Sequence, residues 1–276
     1  MKKILLLIFS AALCVTFAAC NNNQVDIDGN GGNSLPHTVP TVQETEEDKR
    51  LESDKPVDSF DNMYDAYVAV LENLIQNRIL PDGIDPCEQS GDMSENEFTV
   101  CDVDNDGRDE LILIYTTTCG ANWAGYVLDY DEETKELKTQ LKEFTMLTFY
   151  DNGIVKAGWS HNQGLAGDFW PYSLYQYVPD SDSYILVGMV DAWDKNYFRS
   201  EEDIKNNPFP SDIDKSGTGF VYYVMEDGKY DNTHPIDVSE YNEWIGAHIG
   251  DASKIHIQYK ALTEENISQL KTAKHD

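Results

Sequence analysis

Positive charge is scarce in this sequence. Its 20 Lys and Arg residues face 50 Asp and Glu residues, which gives a formal net charge of -30. A surface this acidic repels phosphate backbones and anionic headgroups, so nucleic acid is not expected as a partner. The same surface is compatible with cation binding, although acids also simply keep a tethered protein soluble.

Cysteine is scarce as well, with five residues in 276. Cys14 and Cys20 lie in the N-terminal segment, which leaves Cys87, Cys101 and Cys119. Three thiols allow at most one disulfide within the chain, and their spacing does not choose the pair. They also lack the paired C-x-x-C spacing of zinc sites, so metal binding by thiolate is not expected.

Familiar catalytic motifs are missing. The sequence has no G-x-S-x-G, H-E-x-x-H, P-loop or G-x-G-x-x-G. Its six histidines are scattered; His161 lies in the polar stretch GWSHNQG, where ordinary hydrogen bonding is its simplest role. Two of the 50 acids could still meet across a cleft as a glycosidase pair, so a secreted polysaccharide hydrolase is kept as the alternative function.

The sequence also lacks an apolar run of membrane-spanning length. Residues 4–19 are mainly apolar but number 16, and a span takes about 20. Lys2 and Lys3 precede this run, and small residues lead into Cys20. This order resembles a bacterial lipoprotein signal, which implies a signal peptide at 1–19, a lipidated Cys20 and an extracytoplasmic, membrane-anchored protein. An ordinary secretory signal and an uncleaved anchor are the alternatives.

Composition divides the rest of the chain in two. Residues 20–58 hold the lipidated cysteine and a polar segment rich in Asn, Gly, Pro and acids, which predicts a disordered tether. From residue 59 onward, apolar residues recur with regular periods. We therefore expect a single α+β domain over 59–276, with two packed subdomains as the alternative.

The periodicities predict a mainly antiparallel sheet with hairpins, packed by an N-terminal helix and C-terminal helices. The first helix follows a cap at Asp58 or Ser59 and ends near Pro81, and later helices are expected near 238–247 and after Thr263. Short connections favour antiparallel pairing. The candidate strands are 97–101, 110–117, 123–130, 136–140, 144–150, 153–158, 172–178, 183–190, 220–226 and 254–260.

The stretch DVDNDGRDE, the 102–110 loop, crowds acids between two predicted strands. Calcium takes six to eight oxygen ligands at about 2.3–2.6 Å, and alternate residues of a curling loop can all point inward. Gly107 permits the turn. The predicted metal ligands are Asp102, Asp104 and Asp106, the backbone carbonyl of Arg108, and Glu110. A solvated acidic hairpin turn is the simpler alternative.

This loop resembles calcium loops of the FG-GAP and EF-hand type, written D-x-D-x-D-G. The EF-hand version places a bidentate acid at position twelve, where this sequence has Leu113, and it also has flanking helices. An acid at position nine between two strands is closer to the FG-GAP hairpin loop. The resemblance implies a structural calcium ion.

A second stretch, DIDKSGTGF or the 212–220 loop, repeats part of the pattern. It carries Asp212, Asp214, Ser216 and Gly217, but its ninth position is Phe220, which offers no ligand. A turn before a strand is therefore the better interpretation, with metal binding left open.

The signal, tether, early helix and acidic loop together resemble a group of exported proteins of Clostridia and related Firmicutes. Later stretches such as FYDNGIVKAGWSHNQG and VSEYNEWI extend that resemblance over most of residues 60–270. The group implies a location and a metal loop but no reaction. We expect a non-enzymatic binding or scaffold module, held at the membrane by lipid, with a cell-wall glycan or an envelope protein as its partner.

Aromatic residues are plentiful, with five Trp and 16 Tyr. Rings of this kind serve exported proteins as platforms for sugars, and the stretch AGDFWPY places two of them in a predicted loop. Core packing and strand propensity are the simpler explanation for most of them.

Overall fold

A computed structural model describes residues 60–83, 90–118, 122–162, 165–197 and 199–273. The expected signal peptide, Cys20, the tether, Cys87 and Cys119 lie outside these residues. In chain order the elements are α1 (Met63–Asn77), a 3-10 turn (Met93–Glu95), β1 (Glu97–Cys101), β2 (Glu110–Tyr115), β3 (Ala124–Asp131), β4 (Glu136–Glu143), β5 (Leu147–Phe149), β6 (Ile154–Gly158), β7 (Tyr172–Val178), β8 (Ser183–Asp194), α2 (Glu201–Asn206), β9 (Phe220–Met225), β10 (Ile236–Asp237), α3 (Val238–His248), β11 (Lys260–Ala261) and α4 (Glu264–Ala273).

The strands form two antiparallel sheets. Sheet I has the order β11-β1-β2-β3-β4, and sheet II has the order β10-β9-β8-β7-β6-β5. Neighbouring strands within each hairpin are joined by short turns, as the sequence predicts. The predicted fold class, α+β with mainly antiparallel sheet, is confirmed.

Strand β2, in the middle of sheet I, is buried on both faces, which its run ELILIY makes possible. Leu111, Leu113 and Tyr115 join the core that contains α1 and α4. Ile112 and Ile114 point the other way, into a core shared with Phe149, Val155 and other residues of sheet II. All six residues of β2 are buried, as expected of a strand with apolar neighbours on both sides.

Sheet II carries α3 on its other face. Tyr172, Leu174 and Val190 of this sheet form a core with Tyr241 and Trp244 of α3. The layers within the unit Asp54–Asp276 therefore run from α1 and α4 through sheet I and sheet II to α3. Each fully buried large apolar side chain in these cores contributes roughly 1.5–3 kcal/mol.

Helix α1 begins later than the sequence suggested. Its N-cap is Asn62, whose side chain accepts a hydrogen bond from the backbone N–H of Asp65 at 3.1 Å. The predicted caps, Asp58 and Ser59, lie outside the described residues. Phe60 is held ahead of the helix because its N–H donates to the carbonyl of Lys135 and its own carbonyl accepts from the Tyr130 hydroxyl.

The predicted strand at 254–260 is wrong for most of its length. Lys254 makes an isolated bridge to Tyr150, and only Lys260 pairs within a strand. The alternation that suggested a strand comes instead from Ile255, Ile257 and Tyr259, which pack on the core between the two sheets. Side-chain burial with a period of two does not by itself require a hydrogen-bonded ladder.

Among the residues described, no helix combines the length and the apolarity that crossing a membrane would take.

Candidate metal site at the 102–110 loop

The 102–110 loop connects β1 to β2, which pair so that Cys101 lies opposite Glu110. Two residues turn the chain back on itself in the left-handed region: Asn105, with a φ of 67°, and Gly107, with a φ of 90°. Asn and Gly are the residues that adopt this conformation at least cost.

The loop carboxylates hold its backbone. Asp102 accepts from the N–H groups of Asn105 and Gly107 at 2.7 and 3.1 Å. Asp104 accepts from the N–H of Asp106 at 3.1 Å, and Asp106 accepts from the N–H of Arg108 at 2.8 Å. These bonds aim the side chains at alternate positions toward the inside of the loop.

Three carboxylates consequently meet. One oxygen from each of Asp102, Asp104 and Asp106 lies within 4.8 Å of the other two. Two ligands on one calcium ion are separated by at most about 4.6–5.2 Å, twice the usual bond length, so this spacing suits a single hard cation. Across the part of the chain that the structure describes, no other set of three His, Cys, Asp or Glu ligand atoms is this close.

Glu110 is the first residue of β2 and is fully buried. Its Oε2 accepts from the backbone N–H of Val103 at 2.8 Å, whereas its Oε1 has no hydrogen-bond partner. Burial raises the pKa of Glu110 to about 9, against the opposing hydrogen bond from Val103, and the charges of Asp104 and Asp106 add to the rise. Glu110 does not belong to the group of three within 4.8 Å. A buried acceptor without a donor beside three acids is nevertheless what a cation would satisfy.

Asp104 is the most enclosed of the three aspartates, with 5% of its surface exposed. Burial, followed by the charge of Asp106, raises its pKa to about 6. Without a cation, the group therefore holds its negative charge at a cost.

Arg108 takes part through its side chain. The guanidinium lies 2.7 Å from Asp106, 3.0 Å from the buried Asp129 and 3.5 Å from Asp182. It compensates the loop acids on the side facing β3 and the β7–β8 turn. Ligation by its backbone carbonyl stays a prediction.

Asp182 brings sheet II to the site from the β7–β8 turn, where its backbone has a φ of 46°. Its Oδ1 accepts from the Gln140 amide at 2.6 Å and from the Tyr177 hydroxyl at 3.0 Å. Lys138 donates to its backbone carbonyl and lies 3.5 Å from its Oδ2. Burial alone would raise the pKa of Asp182, but these hydrogen bonds and charges outweigh it and lower that pKa.

Sequence reasoning missed four residues of this surrounding network: Asp129, Gln140, Tyr177 and Asp182. They come from β3, β4, β7 and the β7–β8 turn, so no local spacing connects them to the loop. Alternation along β4 would at most have placed Lys138 and Gln140 on one face.

The 212–220 loop is built differently. Asp214 accepts from the backbone N–H groups of Thr218 and Gly219 at 2.9 and 3.0 Å. Ser216 bonds to Asp237, the N-cap residue of α3. The loop is thus a turn tied to a helix end, and Asp212 is exposed.

Cys101 is a free thiol whose pKa burial raises to about 11, so it is poorly reactive. In the AGDFWPY stretch, Phe169 packs against Tyr172 and Tyr222, whereas Trp170 is 42% exposed.

No protein-family model, no curated protein and no solved structure matches this chain. The resemblance to exported clostridial proteins therefore stays a prediction.

Proposed function

We propose that this protein is an exported, lipid-anchored module of the bacterial cell envelope, non-enzymatic, whose 102–110 loop binds one structural calcium ion. The observation that carries the metal assignment is the meeting of Asp102, Asp104 and Asp106 beside the buried, unpartnered oxygen of Glu110. Anchoring through Cys20 and a glycan or envelope-protein partner rest on the sequence.

The donor chemistry favours calcium. Every candidate ligand atom is an oxygen, and most of them belong to carboxylates. Oxygen ligands of this kind favour hard cations such as calcium over zinc or copper. Magnesium demands near-ideal octahedral geometry and keeps several waters, whereas calcium accepts irregular carboxylate cages. The ion would cancel the mutual repulsion of these acids and give the Glu110 oxygen a partner.

The location of the loop favours a structural role. It joins two strands of sheet I, and it contacts strand β7 of sheet II through Asp106 and the β7–β8 turn through Arg108. An ion that holds the loop would therefore stabilise its contacts with both sheets. Extracellular modules work with calcium sites of about 10⁻⁴–10⁻³ M because calcium outside the cell is abundant.

The test is thermal unfolding of the full chain in about 10 mM calcium, which is about 10–100 times that dissociation constant, and in excess chelator. At about 10–100 times the dissociation constant, calcium stabilises by about 1.4–2.7 kcal/mol. For a domain of this size we expect a rise in midpoint of about 3–10 °C.

Two variants of matched chemistry complete the design. Asp104→Ala should remove the calcium-dependent rise, and Asp214→Ala in the 212–220 loop should keep it. Magnesium at the same concentration should give a smaller rise than calcium. A wild-type midpoint that does not move at this calcium concentration would overturn the metal assignment.

A further inference from the structure

Two hydrogen-bond donors lie between the 102–110 loop and the β7–β8 turn, and each reaches an acid on both sides. The Gln140 amide nitrogen is 3.3 Å from Oδ2 of Asp104 and 2.6 Å from Oδ1 of Asp182. The Tyr177 hydroxyl is 3.3 Å from Oδ2 of Asp106 and 3.0 Å from the same oxygen of Asp182, and it donates its single proton to one of them at a time. Asp182 is therefore the common acceptor of the two groups that contact the loop aspartates.

These donors are well enclosed. Gln140 and Tyr177 are each 6% exposed, so water competes little for their hydrogen bonds. Gln140 belongs to β4 in sheet I, and Tyr177 belongs to β7 in sheet II. The arrangement connects the loop of one sheet to a turn of the other through buried polar contacts.

The backbone at Asp182 also fits this role. Its φ of 46° lies in the left-handed region, which a non-glycine residue enters at a cost. Asp is among the residues that tolerate the conformation, and here it brings the carboxylate within reach of Gln140, Tyr177 and Lys138.

We propose that Asp182 is a positioning residue of the metal site: it holds the Gln140 amide, whose other N–H orients Asp104, and it shares the single Tyr177 proton with Asp106. Calcium bound in the 102–110 loop then also fixes the β7–β8 turn of sheet II. This inference rests on the proposed function, because it concerns the same cation. Partners of ligating carboxylates typically change metal affinity 10–100-fold when they are removed.

The coupling must be reciprocal. If the turn helps the loop to bind calcium, calcium must stabilise the turn by the same free energy. Each direction can be measured separately, so the inference does not depend on a single variant.

The first measurement is calcium affinity of the full chain by titration calorimetry, well below the unfolding temperature. Asp182→Gly removes the carboxylate and keeps the left-handed backbone, so strain is not introduced. We expect its calcium dissociation constant to rise about 10-fold or more. Asp182→Asn keeps an acceptor oxygen for Gln140 and Tyr177 and also tolerates the conformation, so it should stay within a few-fold of wild type.

Asp191→Asn is the matched control. Asp191 is a buried acid within strand β8 of sheet II, and its contacts are the backbone N–H of Ala192 and the Tyr230 hydroxyl. Its calcium affinity should be unchanged. A general loss of packing in sheet II would weaken binding in both variants and would not be rescued by Asn at 182.

The second measurement is amide hydrogen exchange of the wild-type chain with calcium and with chelator. We expect calcium to slow exchange at 178–183 as well as at 102–110, and in Asp182→Gly to slow it at 102–110 alone. If wild type binds calcium but 178–183 does not respond, and Asp182→Gly binds as tightly as wild type, the positioning role is overturned and the metal site stands. If wild type binds no calcium, the proposed function fails, and this inference with it.

Discussion

The 102–110 and 212–220 loops start alike and end as different structures. Both place acids at positions one and three, a glycine at six, and a strand after the turn. In the first, three carboxylates converge within 4.8 Å. In the second, Asp214 holds the N–H groups of Thr218 and Gly219, and Ser216 bonds to Asp237.

The loops differ at their fifth and ninth positions, which hold Asp106 and Glu110 in the first and Ser216 and Phe220 in the second. Glu110 begins β2 and is fully buried, and its carboxylate accepts a hydrogen bond from the Val103 N–H. This bond connects the two ends of the first loop. Phe220 enters β9 and stacks near Tyr222 instead, with ring centroids 6.3 Å apart. Acids at positions one and three are therefore not sufficient to bring three carboxylates together.

The largest expected effect on stability comes from a substitution at the ninth position, Glu110. Glu110→Ala leaves the buried Val103 N–H without an acceptor and opens a small cavity, so we expect a loss of about 2–4 kcal/mol in unfolding free energy. Urea unfolding in chelator measures this without any contribution from calcium.

Glu110→Gln is the control, since it keeps an acceptor and the volume. It should unfold close to wild type in chelator and yet gain less from calcium. An Ala variant within 0.5 kcal/mol of wild type, about the scatter of neutral surface changes, would show that Glu110 does not hold the loop.

A smaller difference should appear between equivalent aspartates. Asp102→Ala and Asp214→Ala each remove the acceptor of two backbone N–H groups, which costs about 1 kcal/mol at an exposed turn. The cost at Asp214 should be the same in calcium and in chelator. The cost at Asp102 should grow when calcium is present, as urea midpoints in the two buffers would reveal. Equal growth at both positions would make the two loops alike in function.

The smallest effect is expected at the glycines, where the loops should not differ. Gly107 and Gly217 have φ values of 90° and 67°, and a Cβ at either would meet nothing within 4 Å. Alanine should therefore cost only the backbone strain, about 1–2 kcal/mol at each in chelator. A much larger loss at Gly107 in thermal melts would mean that the glycine does more than turn the chain.

Local pattern was enough to predict much of this molecule. The apolar run in ELILIY and the acids around Gly107 predicted β2 and the loop before it, because both depend on neighbours in sequence. The acids and Ser near the start of DVSEYNEWIGAH predicted α3, whose cap is Asp237.

What failed depends on partners distant in the chain. Asp182 meets Gln140 across 42 positions, and nothing near either residue indicates the contact. Helix α1 begins at Met63, later than predicted, because Lys135 and Tyr130 bind the backbone of Phe60 ahead of it. Residues 254–260 showed a strand's periodicity, but their backbone lies where no strand edge pairs with most of it.

The position of β11 sets a condition on how the chain folds. Its Lys260 and Ala261 pair with Phe98 and Glu97 of β1, and Leu262 and Ile267 complete the core over α1. All of sheet II lies between these partners in the chain. A chain released in order from its N-terminus cannot finish sheet I until Lys260 and Ala261 are free, after the whole of sheet II. Contacts this far apart in the chain also form slowly. Helix α1 therefore stays only partly covered until Leu262 and Ile267 can pack over it.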